Sequence, residues 1–191
     1  MSLKGTKTEK NIMTAFIGES QARNKYTYWA GTARKEGYVQ IADLFEETAN
    51  QEKEHAKRLF KFLEGGVAEI TATFPAGVIA DTAANLAEAI AGETEEFEHM
   101  YPEFAEIADE EGFPAVAAAM RSIAIAEQHH GERYTTMLTT LKDGTIFSKP
   151  EEITWECLNC GYIHYGKDAP GACPACVHPQ AHFARKRDSW K

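Results

Sequence analysis

The chain has 191 residues and a formal net charge of −9, because 29 aspartates and glutamates outnumber 20 lysines and arginines. An acidic surface argues against binding to nucleic acids and to anionic membranes. No apolar stretch approaches the roughly 20 residues that a membrane-spanning helix needs. The polar, lysine-rich start of the chain lacks the apolar core of a signal peptide. We therefore expect a cytoplasmic protein with one bundle-sized domain and a small appendage.

A first helical hairpin is predicted at the start of the chain. Apolar residues recur with helical spacing over residues 6–35, where Thr8 is the candidate N-cap and Gly37 marks the end. The same spacing over residues 38–64 predicts a second helix, which a pair of glycines stops. The short turn between these helices places them side by side.

A second hairpin follows a connection of about 15 residues, which is long for a compact domain. Asp81 is predicted to start a third helix that ends near residue 110, and Pro102 must disturb it because proline removes a backbone hydrogen bond. Pro114 follows the next turn, and a fourth helix runs to about residue 142. Two hairpins joined by one long crossover are the topology of a ferritin-like four-helix bundle, so we expect a mainly α protein.

The last part of the chain differs in character from the bundle. Residues 146–153 have the composition of a polar linker, and residues 154–191 carry all four cysteines and no helical periodicity. A segment below ~40 residues needs a metal or disulfides to fold. We therefore divide the chain into a bundle over residues 1–145 and a small metal-binding domain over residues 154–191.

Two Glu-x-x-His motifs give the bundle a candidate metal site. On a helix, side chains three residues apart project from neighbouring points of one face, so each motif can bind one metal ion. Each motif follows a lone glutamate, by 33 residues in the first half of the chain and by 34 in the second. This is the ligand pattern of di-iron and di-manganese carboxylate bundles. The candidate ligands are Glu19, Glu52 and His55 in the first half and Glu93, Glu127 and His130 in the second.

Five further side chains near these motifs are judged by their helical positions. Glu96 lies three residues after the lone glutamate of the second half and is either a seventh ligand or a surface acid. His99 lies about 120° off that face and is expected at the surface, whereas His129 is expected to pack or to support the ligands. Tyr26 and Tyr101 either hydrogen-bond a ligand carboxylate or simply pack in the core.

The four cysteines form two Cys-x-x-Cys motifs, Cys157 with Cys160 and Cys173 with Cys176, separated by twelve residues. In a cytoplasmic chain this clustering indicates a metal rather than disulfides. Two such motifs give a closed tetrahedral site with four sulfur ligands. The spacing alone fits zinc and iron equally, and a bundle capable of redox chemistry favours a one-electron iron carrier.

Several segments together carry a resemblance to a known family. They are Gly18-Glu19-Ser20-Gln21-Ala22-Arg23, Gln51-Glu52-Lys53-Glu54-His55-Ala56, Gly92-Glu93 with Glu96, Ala126-Glu127 with His130, and the four cysteines. The combination, over essentially the whole chain, resembles the rubrerythrin family, in which a ferritin-like di-iron domain precedes a rubredoxin-like domain. The resemblance implies that Glu96 joins the other six ligands of a di-iron centre and exchanges with His55 at one iron. It also implies iron, not zinc, on the cysteines, although Val177 stands where a rubredoxin usually has glycine.

The resemblance further implies a non-haem di-iron peroxidase that reduces hydrogen peroxide to water in defence against oxidative stress. Electrons would pass singly through the rubredoxin-like iron from a nicotinamide-dependent reductase or a rubredoxin. The chain has no Gly-rich dinucleotide-binding motif, so this donor is a separate protein. A head-to-tail homodimer or higher oligomer is expected as well, because a centre at mid-helix lies about 20 Å from either end of the bundle.

Three other functions fit part of the sequence. An iron-storage protein or ferroxidase with a structural zinc tail would have the same bundle, but storage needs no thiolate carrier. A non-enzymatic metal-binding module with zinc in the tail would be colourless, whereas a ferric tetrathiolate is red. Oxygen activation on an organic substrate would need a substrate pocket, and no motif identifies one.

Overall fold

A computed structural model of the chain describes residues 2–187. A single turn of π-helix, Glu96–Met100, joins the third and fourth helices end to end. Within the described residues, no helix has the length and apolar character that crossing a membrane requires. The elements are α1 (Lys7–Lys35), α2 (Val39–Phe60), α3 (Thr82–Glu95), α4 (Tyr101–Glu110), α5 (Pro114–Lys142), β1 (Ser148–Cys157), β2 (Ile163–Asp168) and β3 (Phe183–Arg185).

The bundle consists of two helical hairpins, and this confirms the predicted topology. α1 packs along α2, and the continuous rod of α3 and α4 packs along α5. Two apolar clusters form at opposite ends of the bundle. Trp29, Phe45 and Tyr134 belong to one cluster, whereas Ile12 and Met120 belong to the other. The middle of each long helix therefore lies between two layers that exclude water.

The helix starts agree only partly with the sequence pattern. Asp81 caps α3 as predicted, since its carboxylate accepts a hydrogen bond from the Ala84 amide at 2.8 Å. The prediction that Thr8 caps α1 is wrong, because Thr6 is the cap. The Thr8 hydroxyl instead donates to Glu111 at 2.6 Å, which ties the start of α1 to the turn before α5.

The connection between the hairpins is fixed to the outside of the bundle. α2 ends at Phe60, four residues earlier than predicted, and the chain then runs without helix or strand to the start of α3. Two side chains of α1 hold this segment. Gln21 Nε2 donates to the Pro75 carbonyl at 2.9 Å, and Trp29 Nε1 donates to the Val78 carbonyl at 3.1 Å.

The second half of the bundle has one residue more than the first, and the π turn before Pro102 contains it. A π turn accommodates one extra residue in a helix. Glu19 precedes Tyr26 by seven residues, whereas Glu93 precedes Tyr101 by eight. From either tyrosine to the glycine after its helix the spacing is 11 residues in both halves. The extra residue therefore lies at the π turn and explains why the motif spacings are 33 and 34.

The tail is a three-stranded antiparallel sheet in the order β2-β1-β3, with Trp155 and Phe183 fully buried beside the cysteines. β1 begins at Ser148, within the segment whose composition suggests a linker, so secondary structure starts before residue 153. The tail lies against the bundle. Phe147 stacks on Tyr38 with ring centroids 6.4 Å apart, and Ile146 joins the apolar cluster of the bundle.

Candidate metal centres

Four glutamates lie in the middle of the bundle, each from a different long helix. Each is at most 1% exposed, which is rare for carboxylates without a partner. The two histidines follow their glutamates by about one helical turn and reach the same region. The side chains are Glu19 on α1, Glu52 and His55 on α2, Glu93 on α3, and Glu127 and His130 on α5.

These six side chains form two overlapping groups of potential ligand atoms. Within each group, one oxygen or ring nitrogen per residue lies within 4.8 Å of all the others. Glu52 and Glu127 belong to both groups, so they lie between two candidate metal positions. The two halves of the sequence thus meet in one pseudo-twofold site. The remaining members are Glu19 and His55 in one group and Glu93 and His130 in the other.

The histidines contact the shared glutamates at short range. His130 Nδ1 lies 2.8 Å from Glu127 Oε2 and 3.1 Å from Glu52 Oε1. His55 Nδ1 lies 2.8 Å from Glu127 Oε1 and 3.0 Å from Glu52 Oε2. Each shared carboxylate therefore offers one oxygen to each half of the site, which is the arrangement expected of a bridging ligand.

Several atoms of the site have no hydrogen-bond partner among the described residues, including Glu19 Oε2, Glu93 Oε2 and both oxygens of Glu127. His130 Nδ1 is close to Glu127 but outside hydrogen-bonding geometry, so the interaction between the two groups is one of charge. Burying unpaired carboxylates is costly unless a cation compensates them. Unpaired oxygens and ring nitrogens that converge from four helices fit a pair of metal ions. The oxygen-plus-imidazole donor set suits iron or manganese.

The pKa values in the site show the same excess of negative charge. Burial raises the pKa of Glu19 well above its usual value, and the charges of Glu127 and Glu52 raise it further. Burial also raises the pKa of Glu93, to about 8. Burial disfavours the charged form of His130, yet the contacts with Glu127, Glu52 and Glu93 outweigh this and raise its pKa to about 12. Bound cations would balance this excess of negative charge.

Two buried tyrosines tie the lone glutamates to the opposite hairpin. The Tyr26 hydroxyl of α1 donates to Glu93 Oε1 at 2.5 Å, and the Tyr101 hydroxyl of α4 donates to Glu19 Oε1. Tyr26 also packs on Phe45 in an apolar cluster, so it combines both roles that the sequence left open. The extra residue of the π turn brings Tyr101 to the position that matches Tyr26.

Glu96 begins the π turn and lies beside the converging atoms rather than among them. Its carboxylate belongs to neither group of potential ligand atoms. The side chain is only partly exposed and lines a cavity together with Met100 and Phe74. Burial raises the pKa of Glu96 well above its usual value, and the charge of Glu93 adds to this effect. Glu96 therefore differs both from a plain surface acid and from the six converging side chains.

The other two histidines of the bundle lie at the surface. The His99 side chain is 65% exposed, as its helical position predicts. His129 is exposed as well, so the expectation that it packs or supports the ligands is wrong. Its position next to His130 on the helix turns it about 100° away from the buried face of α5.

The four cysteines of the tail converge on a second site. Their sulfur atoms lie within 4.8 Å of one another. Cys157 Sγ is 3.8 Å from Cys176 Sγ, and Cys160 Sγ is 3.6 Å from Cys173 Sγ. These separations exceed a disulfide bond of about 2 Å and fit a tetrahedral four-thiolate metal site.

Two matching turns present the cysteines. Gly161 and Val177 each follow the second cysteine of a motif, and both have left-handed φ angles, of 75° and 63°. A β-branched residue is strained in that conformation, so Val177 is held there by the turn around it. The backbone amide of His178 lowers the pKa of Cys176 to about 6, which favours the thiolate that a metal needs.

A bundle with one long crossover and two overlapping carboxylate–histidine groups at its centre defines a ferritin-like di-iron carboxylate protein. The tail adds a four-thiolate site of the rubredoxin type. Protein-family models match both parts: the model described as rubrerythrin covers residues 10–138, and the model described as rubrerythrin, rubredoxin-like domain covers residues 155–184. The chain belongs to the rubrerythrin family.

Known relatives resemble the chain over nearly its whole length. A rubrerythrin of Nitratidesulfovibrio vulgaris is 57% identical over 99% of both chains. A rubrerythrin of Porphyromonas gingivalis is 59% identical over 95% of this chain and 91% of the relative. The solved structure of fully reduced, all-ferrous nigerythrin matches with a TM-score of 0.65 and 32% identity, over 97% of this chain and 92% of that one. The two cofactors predicted from the sequence, a di-iron centre and one iron on four cysteines, are confirmed.

Proposed function

We propose that this protein reduces hydrogen peroxide to water at the bundle centre, with electrons delivered through the tail. The observation that carries the proposal is the presence, in one chain, of a buried two-metal carboxylate site and a one-electron thiolate site. Cleavage of an O–O bond takes two electrons, whereas iron storage needs no thiolate carrier. Nigerythrin has been solved in partially reduced, mixed-valence and fully reduced states, which supports a redox role for such a centre.

Seven side chains are proposed to hold the two iron ions. When bound, the di-iron centre supplies two electrons and Lewis acidity to peroxide, and the tail iron supplies one electron at a time. Glu52 and Glu127 would hold both ions, because each offers one oxygen to each half of the site. The other proposed ligands are Glu19, His55, Glu93, Glu96 and His130.

The surrounding residues prepare this centre in two ways. Tyr26 and Tyr101 each fix one oxygen of a lone glutamate. The other oxygen has no hydrogen bond from the described residues and is available to a metal. The apolar clusters at both ends of the bundle keep bulk water away. Excluding water strengthens the electrostatic interactions within the site and prevents side reactions.

The electron donor is proposed to be a separate protein of the cytoplasm, either a nicotinamide-dependent reductase or a rubredoxin. Cys157 and Cys173 are buried, whereas Cys160 is exposed. A donor would therefore approach the tail from the side of Cys160, where the sulfur ligands are nearest to solvent.

A reoxidation experiment tests the peroxidase proposal. The iron-loaded protein is reduced without oxygen, hydrogen peroxide is added in excess because the three ferrous ions of one chain can reduce more than one peroxide, and the absorbance of both iron centres is followed. We expect both centres to reoxidise, and to do so faster than with dissolved oxygen. In the Cys160→Ser control, the bundle centre reoxidises once, but the red tail absorbance and repeated turnover are lost. Faster reaction with oxygen than with peroxide would contradict the proposal and favour a ferroxidase.

A further inference from the structure

We propose that peroxide reaches the di-iron centre through a cavity beside Glu96, and that two helix glycines, Gly18 and Gly92, keep this cavity open. The inference rests on the proposed function, because it assigns a route to the same substrate. A defined route is needed because the four central glutamates are at most 1% exposed. The reacting molecule has to cross the protein surface to reach them.

A cavity of about 430 Å³ opens between α1, α3, the π turn and the connection after α2. Glu96 and Met100 line it on the side of the π turn, and Phe74 and Pro75 line it on the side of the connection. Glu96 lies about one helical turn after Glu93, so the cavity extends to the residue next to the metal centre.

Gly18 and Gly92 also line this cavity, each one residue before the lone glutamate of its half. Neither has a left-handed φ angle, and a Cβ built on either would meet no atom of another described element within 4 Å. Neither backbone conformation nor close packing therefore requires glycine. Because glycine in a helix interior is less stable than alanine, both residues weaken their helices. What they do provide is open space in the wall of the cavity, one residue before each lone glutamate.

Two other helix glycines do not combine open space at the Cβ position with a place in the cavity wall. Gly131 lacks open space, because a Cβ there would contact the Cβ of Glu93 at 3.4 Å. Gly31 has open space around it, but it is on the exposed side of α1 and is not among the residues that line the cavity. Gly31 is therefore a natural control for the cost of glycine in a helix.

A second opening lies on the other side of the site, where His55 and Arg58 of α2 face Ala118 and Ser122 of α5. The His55 ring closes its inner end, because Nδ1 is within 3.0 Å of oxygens from both shared glutamates. A molecule in this opening meets the ring before it meets the carboxylates. On the Glu96 side, in contrast, the positions just before the two lone glutamates are glycines.

The charges around the cavity suit a neutral molecule. Glu95 and Glu96 line it, together with Glu88, whose carboxylate is paired with Lys25 at 2.8 Å. The exposed Glu95 carboxylate disfavours the entry of anions and leaves the access of an uncharged molecule unaffected. Hydrogen peroxide is both small and uncharged at neutral pH, which distinguishes it from anionic oxidants and from bulky organic hydroperoxides.

Leucine at either glycine tests the route, because leucine supports a helix and fills the cavity. In the fully reduced, iron-loaded protein, Gly18→Leu and Gly92→Leu are expected to slow reoxidation by hydrogen peroxide several-fold, and by the bulkier tert-butyl hydroperoxide more strongly. Binding of nitric oxide, an uncharged probe of ferrous iron, is expected to slow as well, with iron content unchanged. Equal slowing of both hydroperoxides with normal nitric oxide binding would show altered chemistry instead of altered access and would overturn the proposal.

Gly31→Leu and Ser122→Leu are the matched controls, and both are expected to react like the wild type. Slowing in Ser122→Leu without slowing in the two cavity variants would place the route beside His55 and overturn the proposal. If the wild type itself does not react with peroxide, the proposed function fails, and the nitric oxide rates still test the route.

Alanine variants decide the question if a leucine variant does not hold iron. Gly18→Ala and Gly92→Ala are expected to raise Tm by about 2 °C, as alanine does in a helix. They should nevertheless slow reoxidation by tert-butyl hydroperoxide, so Tm rises while the rate of this reaction falls. A higher Tm with unchanged rates for both hydroperoxides would overturn the proposal.

Discussion

The four buried glutamates have two different environments, although all lie on equivalent faces of their helices. Glu52 and Glu127 present one oxygen to each histidine, so each connects both halves of the site. Glu19 and Glu93 present one oxygen to a tyrosine of the other hairpin, and the second oxygen of each has no hydrogen bond within residues 2–187. The first pair therefore suits the bridging positions, and the second pair suits terminal ones.

Glu96 has a third environment, and replacing this residue tests its role in the reaction. Glu96→Ala is expected to leave two irons bound, because the six converging side chains are intact. The variant should slow reoxidation by peroxide at least about tenfold, because a carboxylate oxygen stabilises the ferric ion better than imidazole does. Metal analysis and stopped-flow absorbance measure the two effects.

Glu95→Ala is the control for this variant, since Glu95 lines the same cavity and is exposed. It should react like the wild type. Nitric oxide should bind Glu96→Ala no more slowly than the wild type, because removing a side chain cannot narrow the route. Unchanged peroxide turnover in Glu96→Ala would show that this carboxylate takes no part in the reaction.

For the helices, the sequence predicts those ends that depend only on residues nearby in the chain. Asp81 and Gly37 mark helix ends because capping and a left-handed glycine are local properties. Thr6 and Thr8 can both cap a helix, and the choice depends on Glu111, which is about a hundred residues distant. The spacings of 33 and 34 reveal an extra residue in the second half, but spacing alone cannot say whether a helix or a loop contains it.

A pair of deletions tests whether the π turn holds that extra residue. Both are made with Pro102→Ala, because proline would strain an uninterrupted helix. Deleting the exposed Glu98 is expected to convert the π turn into α-helix and to restore the spacing of seven residues between Glu93 and Tyr101. Helicity, iron binding and Tm should remain close to those of the Pro102→Ala parent.

Deleting Glu103, another exposed glutamate, is the matched control. It should rotate the rest of α4 by about 100° and expose Ala105 and Ala108, which are fully buried. We expect Tm to fall by more than about 5 °C in a circular dichroism melt. Equal losses in both deletions would mean that the π turn does not contain the extra residue.

At the scale of the whole molecule, the sequence does not predict where the tail packs, because a polar linker leaves its direction open. The structure places the tail along the first half of α2. Leu158 of the tail and Leu44 of α2 line one crevice, and Arg187 Nη1 lies 3.9 Å from Glu47. Since Leu44 precedes Glu52 by eight residues, the contact is about 12 Å along the helix from the metal centre. Electron transfer within one chain and transfer between chains therefore need to be separated by experiment.

We predict transfer between chains in a head-to-tail dimer, in which each tail would lie beside the bundle of its partner. A twofold interface of this kind closes on itself. Two inactive variants, Cys160→Ser and Glu127→Ala, are dissociated, mixed and reassembled. The first keeps an intact bundle and the second keeps an intact tail, so mixed dimers should regain part of the wild-type peroxide turnover. Each variant reassembled alone should stay inactive, and reassembled wild type should recover fully. If mass measurements confirm mixed dimers and no activity returns, electrons pass within one chain and the head-to-tail arrangement is not the working unit.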